Sequence, residues 1–387
     1  MRDGRIPLRK AAVGLMAAAL LTGFSSVPAL ASEGTSHGVR NDAKSAVPTL
    51  SKEVSLDGSD WGDRVDAPAG ADLLYRVTAT LPNYTESYDR YPYAFVDTHE
   101  PSIGIDADSI RIELLSGEDA SDITKSFDIV SQGGVIRASV DDLKTTFPDL
   151  ASDAKFRMSY RARLSGTPDL GIANPNENAC HLEYMTDIMA EKKPGTYGSG
   201  KMDQTPDEVT FVYSYGVELR KVAEGDSRSL PGAAFEATDE EGRPFVDGGL
   251  GQPGSPAKAL VTADDGKASL LGIGTGKVTL TETKAPDGYE VVPPVRISLS
   301  RGTTINGKAE LNVQVDGAEI DELDSQGGIL HITVKDPTLG GAASEIARRM
   351  SDLIQTGAGL PVAIVLVCGA GIAAFVAVAR KRGKLGG

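Results

Sequence analysis

Val278-Thr279-Leu280-Thr281-Glu282-Thr283-Lys284-Ala285-Pro286-Asp287-Gly288-Tyr289 alternates apolar and polar residues and then breaks at a Pro-Asp-Gly turn. Alternation with a period of two marks a half-buried strand and puts Val278, Leu280 and Glu282 on one face. An ionisable residue therefore closes an apolar face. Two other segments repeat the arrangement: Val217, Leu219 and Lys221 in 217–222, and Leu330, Ile332, Val334 and Asp336 in 329–336. Three charges buried apart would be prohibitive, whereas three brought together can neutralise one another.

Working outward, the chain between residues 48 and 338 consists mostly of short alternating runs rich in Val, Thr, Ile and Tyr, such as 74–80, 109–114 and 329–334, separated by Gly, Pro, Asp and Asn clusters. That pattern predicts an all-β chain of two tandem Ig-like β-sandwich domains. The boundary falls near 214–216, where the strand expected at 208–215 leads almost directly into 217–222, giving domains 48–215 and 216–338. One short helix is expected at 139–150. Residues 32–47 read as a flexible leader and 339–359 as a tether.

The two ends read as export and anchoring signals. Arg2, Arg5, Arg9 and Lys10 precede an apolar run, 11–24, too short to span a bilayer comfortably, and Ala29 and Ala31 supply the small residues of a cleavage site. Residues 1–31 are thus expected to be a secretory signal peptide cut after Ala31. Residues 360–379 form an uncharged run of roughly twenty residues, long enough at about 1.5 Å per residue to cross the hydrocarbon core as a transmembrane helix. The basic tail 380–387 marks the cytoplasmic side.

The net charge of −15 argues against nucleic-acid or anionic-lipid binding. Of the two cysteines, Cys368 lies in the apolar span, so Cys180 has no disulfide partner outside the cell. His37, His99, His181 and His331 show no metal-ligand spacing, and no nucleophile elbow or phosphate loop occurs. Asp106 and Asp108 are read as turn aspartates. No metal or other cofactor is expected, and no enzymatic turnover.

The pieces 217–222, Leu230-Pro231-Gly232-Ala233-Ala234-Phe235-Glu236, Asp264-Asp265-Gly266-Lys267-Ala268, 278–289 and 332–336, in this order, resemble the Cna B-type (SpaA-like) domain of Gram-positive pilins and adhesins. Residues 282–289 resemble the pilin E-box. The resemblance implies a spontaneous isopeptide bond from Lys221 to Asp336, with Glu282 as the catalytic acid and Phe235 and Tyr289 as apolar cover. A buried salt bridge among the same three groups is the alternative. Residues 48–215 resemble more loosely the fimbrial D2, or Cna A-like, domain, through Pro48-Thr49-Leu50-Ser51-Lys52, 75–84, Tyr93-Ala94-Phe95-Val96-Asp97-Thr98 and Leu182-Glu183-Tyr184. That resemblance implies a second isopeptide site at Lys52 and Asp97. Its third partner falls in Tyr184-Met185-Thr186-Asp187, where alternation puts Thr186 inward and Asp187 serves only if the strand is bulged or shifted. A Lys52–Asp97 ion pair without a covalent bond is the alternative.

Leu353-Ile354-Gln355-Thr356-Gly357, followed by the apolar span and basic tail, resembles the sortase sorting signal, with Ile354 where the family has proline. The alternative is an ordinary single-span membrane protein. Together the resemblances imply a structural surface protein, a sortase-processed fimbrial subunit or wall-anchored stalk. Its expected partners are a sortase and peptidoglycan or other pilin subunits. The shaft-type lysine motif is not found, and Lys192 and Lys193 are the first candidates for a linking lysine. A second reading is an adhesin that binds a host matrix protein or glycan through loops 83–93, with four tyrosines, and 169–179, with three asparagines.

Overall fold

The computed structural model describes residues 48–81, 90–150, 154–185, 202–304 and 308–340. The expected signal peptide and leader, Asp187, Lys192, Lys193, the sorting motif 353–357 and the span 360–379 lie outside the described residues. Among the described residues no helix is long and apolar enough to cross a membrane.

The chain is all-β, with two tandem Ig-like sandwiches. The first comprises β1 (Leu50–Ser55), β2 (Arg64–Asp66), β3 (Asp72–Thr80), β4 (Tyr93–His99), β5 (Ile103–Ser116), β6 (Asp119–Asp122), β7 (Asp128–Gln132), β8 (Val135–Val140), β9 (Lys155–Leu164), β10 (Asn176–Met185), β11 (Met202–Gln204) and β12 (Glu208–Tyr213). The second comprises β13 (Tyr215–Ala223), β14 (Ala234–Asp239), β15 (Phe245–Val246), β16 (Gly249–Leu250), β17 (Leu260–Val261), β18 (Lys267–Ile273), β19 (Gly276–Lys284), β20 (Val295–Thr303), β21 (Ala309–Asp316), β22 (Glu319–Asp324) and β23 (Ile329–Asp336).

In the first sandwich, β1-β3-β9-β5-β6 faces β2-β12-β10-β4-β8-β7, with β11 paired to β10. Alternation sets the core: Leu73, Tyr75, Val77 and Ala79 of β3 and Phe156, Met158, Tyr160 and Ala162 of β9 are buried from one sheet, and Phe95, Leu182 and Tyr184 from the other. The helix expected at 139–150 is one turn, α1 (Leu143–Thr146), capped by Asp142, which accepts the Lys144 N–H at 3.2 Å. Ser139 and Val140 belong instead to β8, because burial of Ala138 and Val140 continues the strand's period-two face into the core.

In the second sandwich, β18-β13-β23-β22 packs on β17-β14-β19-β20-β21. The domain's first strand, β13, lies parallel to its last, β23, from Gly216 opposite Ile329 to Ala223 opposite Asp336. Ser214 alone separates β12 from β13. The joint is closed on both sides: Ala69 N–H donates to Gly272 O and Leu250 N–H to Ala69 O, both at 2.9 Å, and Ala173 N–H donates to Gln326 O at 3.1 Å. Gly249, at φ +126°, is required there, since a Cβ on it would lie 1.9 Å from Ala69 O.

Candidate functional site

Two fully buried lysines, one in each sandwich, meet groups that can react with them. In the second domain Lys221 lies near the end of the inward face of β13 and Asp336 ends that of the neighbouring β23; the register, Lys221 opposite Val334 and Ala223 opposite Asp336, makes them diagonal neighbours. Glu282 comes across from β19 in the opposite sheet. All three side chains are inaccessible to solvent; Lys221 Nζ touches Asp336 Oδ1 and lies 3.1 Å from Glu282 Oε1. Phe235 covers the amine, its ring centre 5.2 Å from Nζ. Tyr289 lies farther out, its hydroxyl accepting from Arg228 at 2.7 Å.

Glu282 is oriented by the Val292 N–H, which donates to Oε2 at 2.9 Å. Lys221 Nζ, Glu282 Oε1 and both Asp336 carboxylate oxygens have no hydrogen-bond partner of normal geometry among the described residues. A structural salt bridge in so dry a site needs aligned hydrogen bonds to offset desolvation. Here Lys221 Nζ lies against Asp336 and Glu282 in a site closed to solvent. Burial pushes the Asp336 carboxyl from its ordinary 3.8 to about 6, against the Lys221 charge that pulls it down, and the nearby Glu282 charge adds to the rise. Burial therefore favours the protonated carboxyl beyond what it would be in water.

The first-domain site bridges the sandwich instead of joining neighbours. Lys52 on β1 and Tyr160 on β9 point in from one sheet, Asp97 on β4 and Asn178 on β10 from the other. Lys52 Nζ donates to Asp97 Oδ2, to Asn178 Oδ1 at 2.7 Å and to the Tyr160 hydroxyl at 3.2 Å. Tyr160 donates to Asp97 Oδ2 at 2.9 Å and accepts from Asn178 Nδ2 at 2.8 Å. Tyr75 stacks on Tyr160 with ring centres 5.2 Å apart.

Sequence reasoning brought Lys52 and Asp97 together but missed Asn178. The register explains why: Asp97 lies opposite Cys180, whereas Tyr184 lies opposite Tyr93 at the other end of the pairing. The carboxamide that meets Lys52 beside Asp97 is that of Asn178, two residues before Cys180, while Asp187 lies outside the described residues. Counting back from Leu182 by twos reaches Cys180, Asn178 and Asn176, and asparagines continuing an apolar inward face were the available signal.

The loops singled out for ligand binding contribute less surface than expected. Tyr91 and Tyr93 are core residues, and Asn176 and Asn178 are buried, with Asn176 Nδ2 donating to Asp169 O and Val212 O. The histidines within the described residues make local contacts: His99 with Glu100 O, His181 with Asp207 and His331 with Glu218. No group of three potential metal ligands gathers among the described residues.

A family model described as SpaA, a prealbumin-like fold domain, matches residues 216–312. No curated protein matches the chain in sequence. Among solved structures, the group B streptococcus pilus 2b backbone protein is 18% identical with a TM-score of 0.54, over 74% of this chain and 97% of that one. The T6 backbone pilin of serotype M6 Streptococcus pyogenes is 17% identical with a TM-score of 0.53, over 77% and 71%. A C-terminal fragment of the major pilin GBS80 of Streptococcus agalactiae is 15% identical with a TM-score of 0.51, over 75% and 99%. Residues 216–312 thus match a SpaA prealbumin-like domain, set in a chain whose fold is similar to that of streptococcal pilus backbone proteins.

Proposed function

We propose that this chain is a structural subunit of a Gram-positive surface fimbria, exported, processed by a sortase and stabilised by an autocatalytic isopeptide bond in each sandwich. The observation that carries the reading is the contact of Lys221 with Asp336 beside Glu282, sealed from water and without hydrogen bonds of normal geometry.

In the second domain, neutral Lys221 Nζ attacks Cγ of protonated Asp336. A C–N bond forms, Glu282 takes a proton from the nitrogen and returns one to the departing oxygen, and one water leaves. In the first, Lys52 Nζ attacks Cγ of Asn178 with Asp97 as the proton carrier, and ammonia leaves. Both reactions are single events within the chain, so no turnover, metal or cofactor is involved.

The export and sorting signals read at the two ends support delivery to the cell surface and covalent attachment through Thr356, with peptidoglycan or another fimbrial subunit as the acceptor. Burial of half the tyrosines of 83–93 and two of the three asparagines of 169–179 gives no support to a ligand-binding role for those loops. Intact mass spectrometry tests the reading. The folded chain should lack one water and one ammonia relative to its sequence, Glu282→Ala should restore the water and Asp97→Ala the ammonia. An unreduced mass in folded protein would contradict it.

A further inference from the structure

We infer that the Tyr160 hydroxyl is a catalytic proton relay for the first-domain cross-link, carrying a proton from Asp97 to the departing nitrogen of Asn178; the inference rests on the proposed Lys52–Asn178 bond. The hydroxyl hydrogen-bonds three reacting groups at once: Lys52 Nζ at 3.2 Å, Asp97 Oδ2 at 2.9 Å and Asn178 Nδ2 at 2.8 Å. Among the described residues Asp97 makes no hydrogen bond to Asn178 itself, whereas Nδ2 donates directly to the Tyr160 hydroxyl.

The chemistry makes such a bridge necessary. An amide nitrogen has its lone pair tied up in resonance, so Nδ2 donates to Tyr160 before reaction. Once Lys52 Nζ adds to Cγ, the carbon becomes tetrahedral and Nδ2 becomes a base. It must then gain a proton before the Cγ–Nδ2 bond can break with its electron pair going to nitrogen. Asp97, which receives a proton from Lys52 Nζ, passes one to the Tyr160 oxygen while the Tyr160 hydroxyl hydrogen moves to Nδ2. Ammonia leaves, the amide keeps one N–H, and Tyr160 and Asp97 end as they were when the neutral amine attacked.

Burial, and next the nearby Asp97 charge, hold the Tyr160 hydroxyl well above the usual phenol range, so the hydroxyl keeps its proton and the exchange passes through no phenolate. The second domain supplies the contrast. There the leaving group is water, whose oxygen has free lone pairs throughout, and the aromatic over the lysine is Phe235, with no hydroxyl.

The test is a time course of intact mass after pulse synthesis of the full-length chain, comparing the parent with Tyr160→Phe, which keeps the ring stacked on Tyr75. Loss of ammonia should slow about 100-fold in the variant, while loss of water from the second domain is unchanged and reports that this domain has folded, and an unchanged protease-resistant core reports the same for the first. The residual ammonia loss should also quicken as pH falls, since solvent must now supply the proton, whereas the parent rate stays flat. Ammonia loss at the parent rate, or a slowed rate that keeps the parent's flat pH profile, would overturn the relay. Retention of ammonia by the folded parent chain would overturn the cross-link itself, and the relay with it.

Discussion

Glu282 and Asp97 act on their lysines from the opposite sheet, but they face different electrophiles. Asp336 is a carboxyl whose protonated form burial favours; Asn178 is an amide whose leaving nitrogen needs a proton brought to it. A Glu282→Ala chain keeps Lys221 and Asp336 unjoined, and its stability should then depend on pH. Burial, the largest cause of the raised Asp336 pKa in the parent, persists without Glu282, so the folded variant holds the proton more tightly than the unfolded chain does. The contribution is complete below the unfolded value and is lost as pH rises through the folded one. The melting temperature of the variant should therefore be higher at about pH 5 than at about pH 7.5, whereas the joined parent, with both groups consumed, should show no such dependence from this site. The triad of Lys221, Glu282 and Asp336 was legible in the residues because each ends an apolar alternation, and a lone charge in that place demands a partner. Asn178 was not, since the register of β10 on β4 is a long-range property and the Asn-Pro-Asn run before it reads locally as a loop.

The two proposed links would do different work on their strands. A Lys221–Asp336 bond would tie the domain's first strand to its last, its parallel neighbour, so that tension entering at β13 would leave through β23 without peeling the sheet. A Lys52–Asn178 bond would tie an edge strand of one sheet to the interior of the other and hold the sandwich closed. Removing the second-domain link with Glu282→Ala takes away a loop closure of more than a hundred residues, for which the chain-entropy relation gives roughly 4–5 kcal/mol. Chemical denaturation should show a loss of that order, with the variant also cut faster by protease under mild heating. The strands around these sites follow from alternation alone, whereas the single turn α1 does not, because Val140 extends β8 where helix was expected. At the joint, Gly249→Val should cost about 1–3 kcal/mol by forcing a side chain against Ala69, without altering either mass loss.

Across the whole molecule, Ser214 is the only residue between the two sandwiches' strands, and backbone hydrogen bonds flank it on both sides. With the proposed covalent tie in each half, a chain so jointed would transmit pull along its length and resist proteolysis through slow unfolding more than through equilibrium stability. Its attachment is testable separately: the chain should fractionate with the cell wall and lack residues 360–379, and detergent extraction with that span intact would mark a membrane-anchored protein instead. The most direct measurement is peptide mapping of the folded parent chain. It should yield one branched peptide joining Lys221 to Asp336 with loss of water and another joining Lys52 to Asn178 with loss of ammonia. Recovery of all four residues in linear, unmodified peptides would contradict the account.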